Sequence, residues 1–307
     1  MDDFYATTVL LANGCASAIQ LRWLRMPIRL IAIDIDGTLL DSQWKVPEAN
    51  RIAIAEAVAR GIEVALVTGR RFDFAAPIGR QLGAEVTMIV NNGALVKSID
   101  GKTHLRNLLP AAVARTVLAA TESFIDGAAV VFDRLRENQV IFEKLNLEDP
   151  SRRGYYERNK DFISFCSPLA ECLTEDPIQV MYTGPVTMVR DVAATLHGLR
   201  AENQFAVAIT EYEARNFALA DVVHPGVSKG ATLAEWAAVQ GYAREEIMAI
   251  GDNLNDREML EFAGTPVVMG NCVPALKTIG WRQTLTNDEA GVAAAIHTYA
   301  LGVAPCA

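Results

Sequence analysis

Two aspartates, Asp34 and Asp36, close the apolar run "RLIAIDIDGT". An ionised carboxylate is costly where a chain is about to be buried, so acids in this place call for a partner. Residues two apart in an extended strand point the same way, which would set both side chains on one face as the chain leaves a sheet. Two carboxylates about 4 Å apart repel by roughly 4 kcal/mol at an effective dielectric near 20, and a divalent cation or a shared proton would relieve them. Gly37 permits a tight turn, and Thr38 can bond locally to hold it. Alone, the pentapeptide "DIDGT" fits two readings equally, a metal-binding pair or an Asx-type turn at a strand end.

A second acidic cluster favours the metal. "AIGDNLND" again follows an apolar run and carries Asp252, Asn253, Asn255 and Asp256. Hard oxygen donors without histidine or cysteine suit Mg²⁺, and neither the spacing nor a later bidentate Glu matches a calcium-binding EF-hand. Thr68 in "ALVTGRR" offers a hydroxyl at another strand exit, although a lone Thr there is usually a helix N-cap. Lys229 in "HPGVSKGATL" opens a helix with Ser228 as its cap, and a lysine there opposes the helix dipole unless an anion compensates. Gly226 and Gly230 let the backbone approach a ligand, against the default of a solvated surface lysine. Arg70, just after Thr68 and Gly69, can grip a phosphate or pair with an acid of a capping segment inserted between the two halves of the chain; Asn92, before Gly93, is either a ligand amide or a turn residue.

These groups need strands that end together. From Ile28 short β-branched runs alternate with helical stretches, which predicts βαβ units around a parallel sheet. "RLIAIDI", "IEVALVTG", "EVTMIVNNG", "EIMAIG" and "TPVVMG" read as strands, and "PEANRIAIAEAVARG", the segment from Phe72 to Leu82, "SKGATLAEWAAVQG" and "DREMLEFAG" as helices. Open α/β sheets bind ligands at such strand ends. More than a hundred residues, about Leu109 to Val222, separate the two halves and carry strand and helix patterns of their own. A structureless loop of that length is implausible in a compact protein, so the expected fold is α/β, a Rossmann-like doubly wound parallel sheet with an inserted α+β domain.

The chain has 307 residues, enough for two domains, and a net charge of −9 that argues against a nucleic-acid face. Its five cysteines form no CxxC pair and its four histidines lack zinc spacing, which predicts reduced thiols in a cytoplasmic protein. No apolar run reaches membrane-spanning length, and Asp2 and Asp3 sit where a secretory signal would be basic. "LANGC" is a faint lipoprotein-like match opposed by the same acids, and Met26, just before "PIRLIAIDIDGT", is a candidate start of translation.

In this order, "DIDGT", Thr68, Lys229 and "GDNLND" resemble the four motifs of the haloacid dehalogenase superfamily of phosphohydrolases. "IVNNGALV", "HPGVSKG" and "GDNLND" look like its Cof-type branch, with a type-II, subtype IIB cap. Residues 1–25 fall outside the resemblance and are expected to form a disordered extension; the resemblance implies a core of 26–108 and 223–307 and a cap of 109–222. It implies Asp34 as nucleophile, Asp36 as acid and base, and Mg²⁺ held by Asp34, the Asp36 carbonyl and Asp252. Thr68, Gly69, Arg70, Asn92 and Lys229 would bind substrate, with Asn255 and Asp256 orienting Lys229 and metal-bound water. Asn91 departs from the Ser or Thr that the family tends to carry before that Asn. The implied activity is hydrolysis of a small phosphorylated metabolite, first a sugar phosphate and then a phosphorylated cofactor. A sugar phosphomutase or phosphotransferase, or a non-catalytic phospho-acceptor, competes with it. Arg152, Arg153, Tyr155 and Tyr156 are the candidate cap contacts, and His224 reads as a loop residue.

Overall fold

The computed structural model describes residues 27–199 and 204–302, so the 1–25 extension and Met26 lie outside the described residues. In chain order come β1 (Leu30–Asp34), α1 (Glu48–Ala59), β2 (Glu63–Val67), α2 (Phe72–Gln81), β3 (Thr87–Val90), β4 (Leu95–Ser98) and β5 (Thr103–Arg106). Then follow α3 (Ala111–Ala120), β6 (Ala128–Val131), β7 (Val140–Phe142), α4 (Pro150–Asn159), β8 (Ile163–Phe165), β9 (Gln179–Gly184), α5 (Val186–Leu199), β10 (Ala206–Tyr212) and β11 (Phe217–Val223). The last part holds α6 (Lys229–Gln240), β12 (Ile247–Gly251), α7 (Arg257–Phe262), β13 (Thr265–Val268) and β14 (Arg282–Gln283).

An eight-stranded sheet takes the order β14-β13-β12-β1-β2-β3-β4-β5, parallel as far as β3. β1 is apolar as far as Asp34 because both of its faces are covered. Ile31 and Ile33 share a core with Ala53 and Ile54 of α1, while Leu30 and Ala32 share one with Leu233 of α6 and Met259 of α7. Ile33 pairs with Ile250 of β12, and Asp34 with Val67 of β2. Asp34, Thr68 and Asp252 therefore leave the sheet along one edge.

The antiparallel pair β4 and β5 extends the sheet beyond what periodicity predicts. Its cause lies in "NNG": Asn91, Asn92 and Gly93 have φ of 52°, 55° and 106°, which turns the chain back on β3. Asparagine and glycine tolerate this left-handed region best.

The chain between β5 and α6 supplies a second sheet, ordered β10-β11-β9-β6-β7-β8. One face, with Val130, Val180 and Ala220, packs on Val117 of α3 and Val192 of α5. The other, with Val131, Met181 and Leu219, turns toward the larger sheet. α4 was not legible as a helix, since "PSRRGYYERN" has no apolar stripe; Tyr155 anchors it with ring contacts to Phe142 and Phe217. Arg71 spans the two units, donating to Gln139 Oε1 at 2.9 Å and Asn159 Oδ1 at 2.6 Å, and Lys97 reaches Asp133 at 2.5 Å. Among the described residues no helix is long and apolar enough to cross a membrane.

Candidate active site

Lys229 begins α6, where Ser228 Oγ accepts the Ala231 N–H at 3.0 Å and caps the helix. Its Nζ donates to Asp34 Oδ1 at 2.6 Å and to Asp256 Oδ1 at 2.7 Å, with only 2% of the side chain exposed. Burial alone would lower the ammonium pKa, but Asp34 and Asp256 outweigh it and hold the value above that of an ordinary lysine. The anions that the helix terminus called for are thus these two carboxylates.

Burial, and then repulsion from Asp256, pushes Asp34 up to about 8 despite the pull of Lys229. Asp252 rises to about 6 for the same two reasons, with the Thr38 hydroxyl drawing it back. One carboxylate oxygen from each of Asp34, Asp252 and Asp256 lies within 4.8 Å of the other two. Asp256 is committed: Oδ1 receives Lys229, and Oδ2 accepts the main-chain N–H groups of Asp252 at 2.9 Å and Asn253 at 3.0 Å. Asp34 and Asp252 remain as hard oxygen donors that lack enough positive charge, and a small divalent cation fits that need.

Asp36 takes a different partner from Asp34. Strand pairing ends at Asp34, Asp36 keeps φ −85° and ψ 112°, and the chain turns at Gly37 with φ 83°. Arg70 holds the Asp36 carboxylate in a fork, Nε to Oδ2 at 2.8 Å and Nη2 to Oδ1 at 2.5 Å. Arg70 thus pairs with an acid of the same site and not with one of the inserted segment.

Gly37 permits a close approach: a Cβ there would stand 2.5 Å from Asp252 Oδ2. Gly37→Ala is therefore expected to displace the Asp252 carboxylate while straining the turn. The concentration of a divalent cation needed to half-saturate the site should rise roughly tenfold, the scale on which supporting groups tune metal sites. A calorimetric cation titration checks it, and an unchanged midpoint refutes it.

Thr68 is buried, and its hydroxyl accepts the Arg70 N–H at 3.1 Å, closing the turn at the exit of β2. Asn92 donates its main-chain N–H to Thr68 O at 3.0 Å, and its amide lies over Gly69, where a Cβ would meet Asn92 Oδ1 at 2.9 Å. The structure thus brings Thr68, Gly69, Arg70 and Asn92 together at one strand exit. Asp256 orients Lys229 as expected, whereas Asn255 is exposed and makes no side-chain hydrogen bond among the described residues. The neighbouring Asn253 caps that turn instead.

Sequence reasoning missed two supports. Thr38, read as a local turn residue, donates to Asp252 Oδ1 at 3.2 Å across the site. Asn271, just past β13, donates to Gly37 O at 2.8 Å; an amide directly after "TPVVMG" was the available signal. Of the cap candidates, Arg152 is a buried brace, bonded to Asp126 and to Thr183 O, and Arg153 binds Leu147 O at the surface. Tyr155 lines a cavity of about 590 Å³ between the sheets, which runs from Gly69 and Arg70 to Gln179 and Asp221.

The sequence profile of the haloacid dehalogenase-like hydrolases matches residues 31–296. The chain belongs to that family. This haloacid dehalogenase-like chain is a phosphoric monoester hydrolase of the Cof-type. It is similar to Phosphatase YwpJ of Bacillus subtilis (strain 168), 30% identical over 286 residues that cover 87% of this chain and 98% of that protein. It is also similar to the pyridoxal phosphate phosphatase YbhA of Escherichia coli (strain K12), 29% identical over 82% of this chain and 91% of the relative. A crystal structure of a haloacid dehalogenase-like hydrolase from Bacteroides thetaiotaomicron superposes with a TM-score of 0.74 at 26% identity, covering 88% of this chain and 99% of that one.

Proposed function

We propose that the protein is a Mg²⁺-dependent phosphatase of a small phosphorylated metabolite, working through an aspartyl phosphate on Asp34. The observation that carries this reading is the buried Lys229 bridging Asp34 and Asp256 beside Asp252. Lys229 engages Asp34 Oδ1, which leaves Oδ2 as the oxygen to attack phosphorus. Attack breaks the bond from phosphorus to the ester oxygen, and Asp36 supplies the proton that this oxygen needs to leave. An incoming phosphate gives Arg70 a second anion to grip and so frees the Asp36 carboxyl for that proton. Asp36 then takes a proton from water, and the water oxygen attacks the phosphorus of the acyl phosphate to regenerate Asp34.

The side chains of Asp34 and Asp252, with the main-chain carbonyl of Asp36, would hold Mg²⁺. When bound, Mg²⁺ supplies positive charge to the oxygens of the transferring phosphoryl group. Thr68, Gly69 and Asn92 present hydroxyl, amide and main-chain groups that orient the phosphate. The segment 109–222 acts as the cap, closing the cavity and keeping bulk water from the intermediate. A cytoplasmic setting belongs to the same reading, on the cysteine pattern discussed above.

The test is phosphate release from a broad set of phosphomonoesters. Activity is expected with Mg²⁺, to vanish on chelation with EDTA, and to return when Mg²⁺ is restored. Release of free phosphate separates hydrolysis from a mutase, which would return an isomerised sugar phosphate. Turnover insensitive to EDTA would sink the metal assignment, and a stable phosphoprotein without turnover would favour a phospho-acceptor.

A further inference from the structure

One strand of the inserted unit breaks its own pattern. In β11, Phe217, Leu219, Asp221 and Val223 fall on one face by the period of two, and an acid stands among apolar residues. Opposite it, β9 places Gln179, whose Nε2 donates to Asp221 Oδ1 at 2.6 Å. The Asp221 side chain makes no other hydrogen bond or ion pair among the described residues, and the residue lines the 590 Å³ cavity. No element of the fold requires this acid, since a leucine would satisfy the alternation and extend the apolar face formed by Val131, Met181 and Leu219. A carboxylate set into an apolar face without a cation is costly; Asp221 is half-buried, and the loss of water around it pushes its pKa up to about 7. Local violations of this kind mark sites where a ligand completes the structure.

The rest of the cavity indicates what kind of ligand. Its walls carry Trp44, Phe74, Tyr155, Tyr212 and Phe217. Tyr155 and Tyr212 both stack near-parallel to Phe217, with centroids 6.5 Å and 6.2 Å from it. Trp44 adopts φ 61°, a strained conformation for a bulky residue, and sets its ring 5.8 Å from the Arg70 guanidinium. A flat ring lying between such surfaces gains from stacking and from leaving water. The cationic groups that face the cavity are Arg70 and Arg71 after β2, Arg158 on α4 and Arg215 between β10 and β11. Arg70 is engaged by Asp36, and Arg71 by Gln139 and Asn159.

We propose that Asp221, braced by Gln179, selects the leaving group, and that the cavity takes phosphomonoesters whose other end is a flat ring bearing N–H or O–H donors. The phosphate lies toward Gly69 and Arg70, and the ring donor meets Asp221 on the cap sheet. This inference rests on the phosphatase reading and adds a substrate class to it.

The test measures equilibrium binding by calorimetry with Mg²⁺, in the full-length Asp34→Asn background so that neither probe is consumed. Pyridoxamine 5′-phosphate supplies a ring with donors, and benzyl phosphate supplies the same linkage on a ring without them. Tighter binding of the first by tenfold or more is expected, falling to within about twofold in both Asp221→Asn and Asp221→Leu. The leucine variant suits the apolar face and guards against a folding defect in the other. A preference that survives both substitutions overturns the assignment, and so does its absence before either substitution is made. Phosphate release by the unmodified chain is scored separately. Release together with a surviving preference defeats only the role of Asp221, and no release from any phosphomonoester defeats the hydrolase mechanism.

Discussion

Asp34→Asn is expected to abolish phosphate release, by at least about a thousandfold, while leaving the fold as stable as before. The amide cannot form the acyl phosphate, so the first displacement has no nucleophile. Stability should hold because the substitution removes a carboxylate that burial and Asp256 already disfavour, and Lys229 keeps its 2.7 Å bond to Asp256. Initial rates with Mg²⁺ and a urea unfolding curve on the same preparation check both halves. Residual activity above about one per cent would remove Asp34 from the nucleophile's place.

Lys229→Met should lose both activity and stability. Methionine fills much of the lysine volume but leaves Asp34 and Asp256 buried with no ammonium between them. Removing one partner of a buried ion pair costs about 3–5 kcal/mol, because the remaining charge has neither water nor counter-ion. Turnover should fall at least a hundredfold, since Lys229 also contributes charge where it accumulates during transfer. Adding Asp34→Asn to Lys229→Met is expected to return part of the stability and none of the activity. Residues in one network couple in this way, and a double-mutant cycle reads the coupling directly. Additive losses of stability would show that the Lys229–Asp34 contact carries no energy of its own.

The sequence by itself determined the five central parallel strands of the larger sheet and most of the polar residues at their ends. Strands buried on both faces are apolar up to their ends, as "LIAID" and "IMAIG" are, and their ends are marked by the switch to Asp, Gly and Thr. Asp34, Thr68 and Asp252 were legible because polar groups at the exits of buried strands have few structural reasons to be there, and Lys229 because a lysine opening a helix opposes its dipole. Tertiary structure alone decided the pairings. That Arg70 holds Asp36, that Asp256 receives Lys229, and that Thr38 reaches Asp252 all depend on contacts between residues far apart in the chain. The helix α4 and the acid at Asp221 were hidden for a related reason. α4 is stabilised by Tyr155 packing on strands distant in sequence, and Asp221 is anomalous only once β11 is known to be a strand with one face on a cavity. Local periodicity reports how a segment meets water and apolar surface, and it carries no information about which distant partner will share that surface.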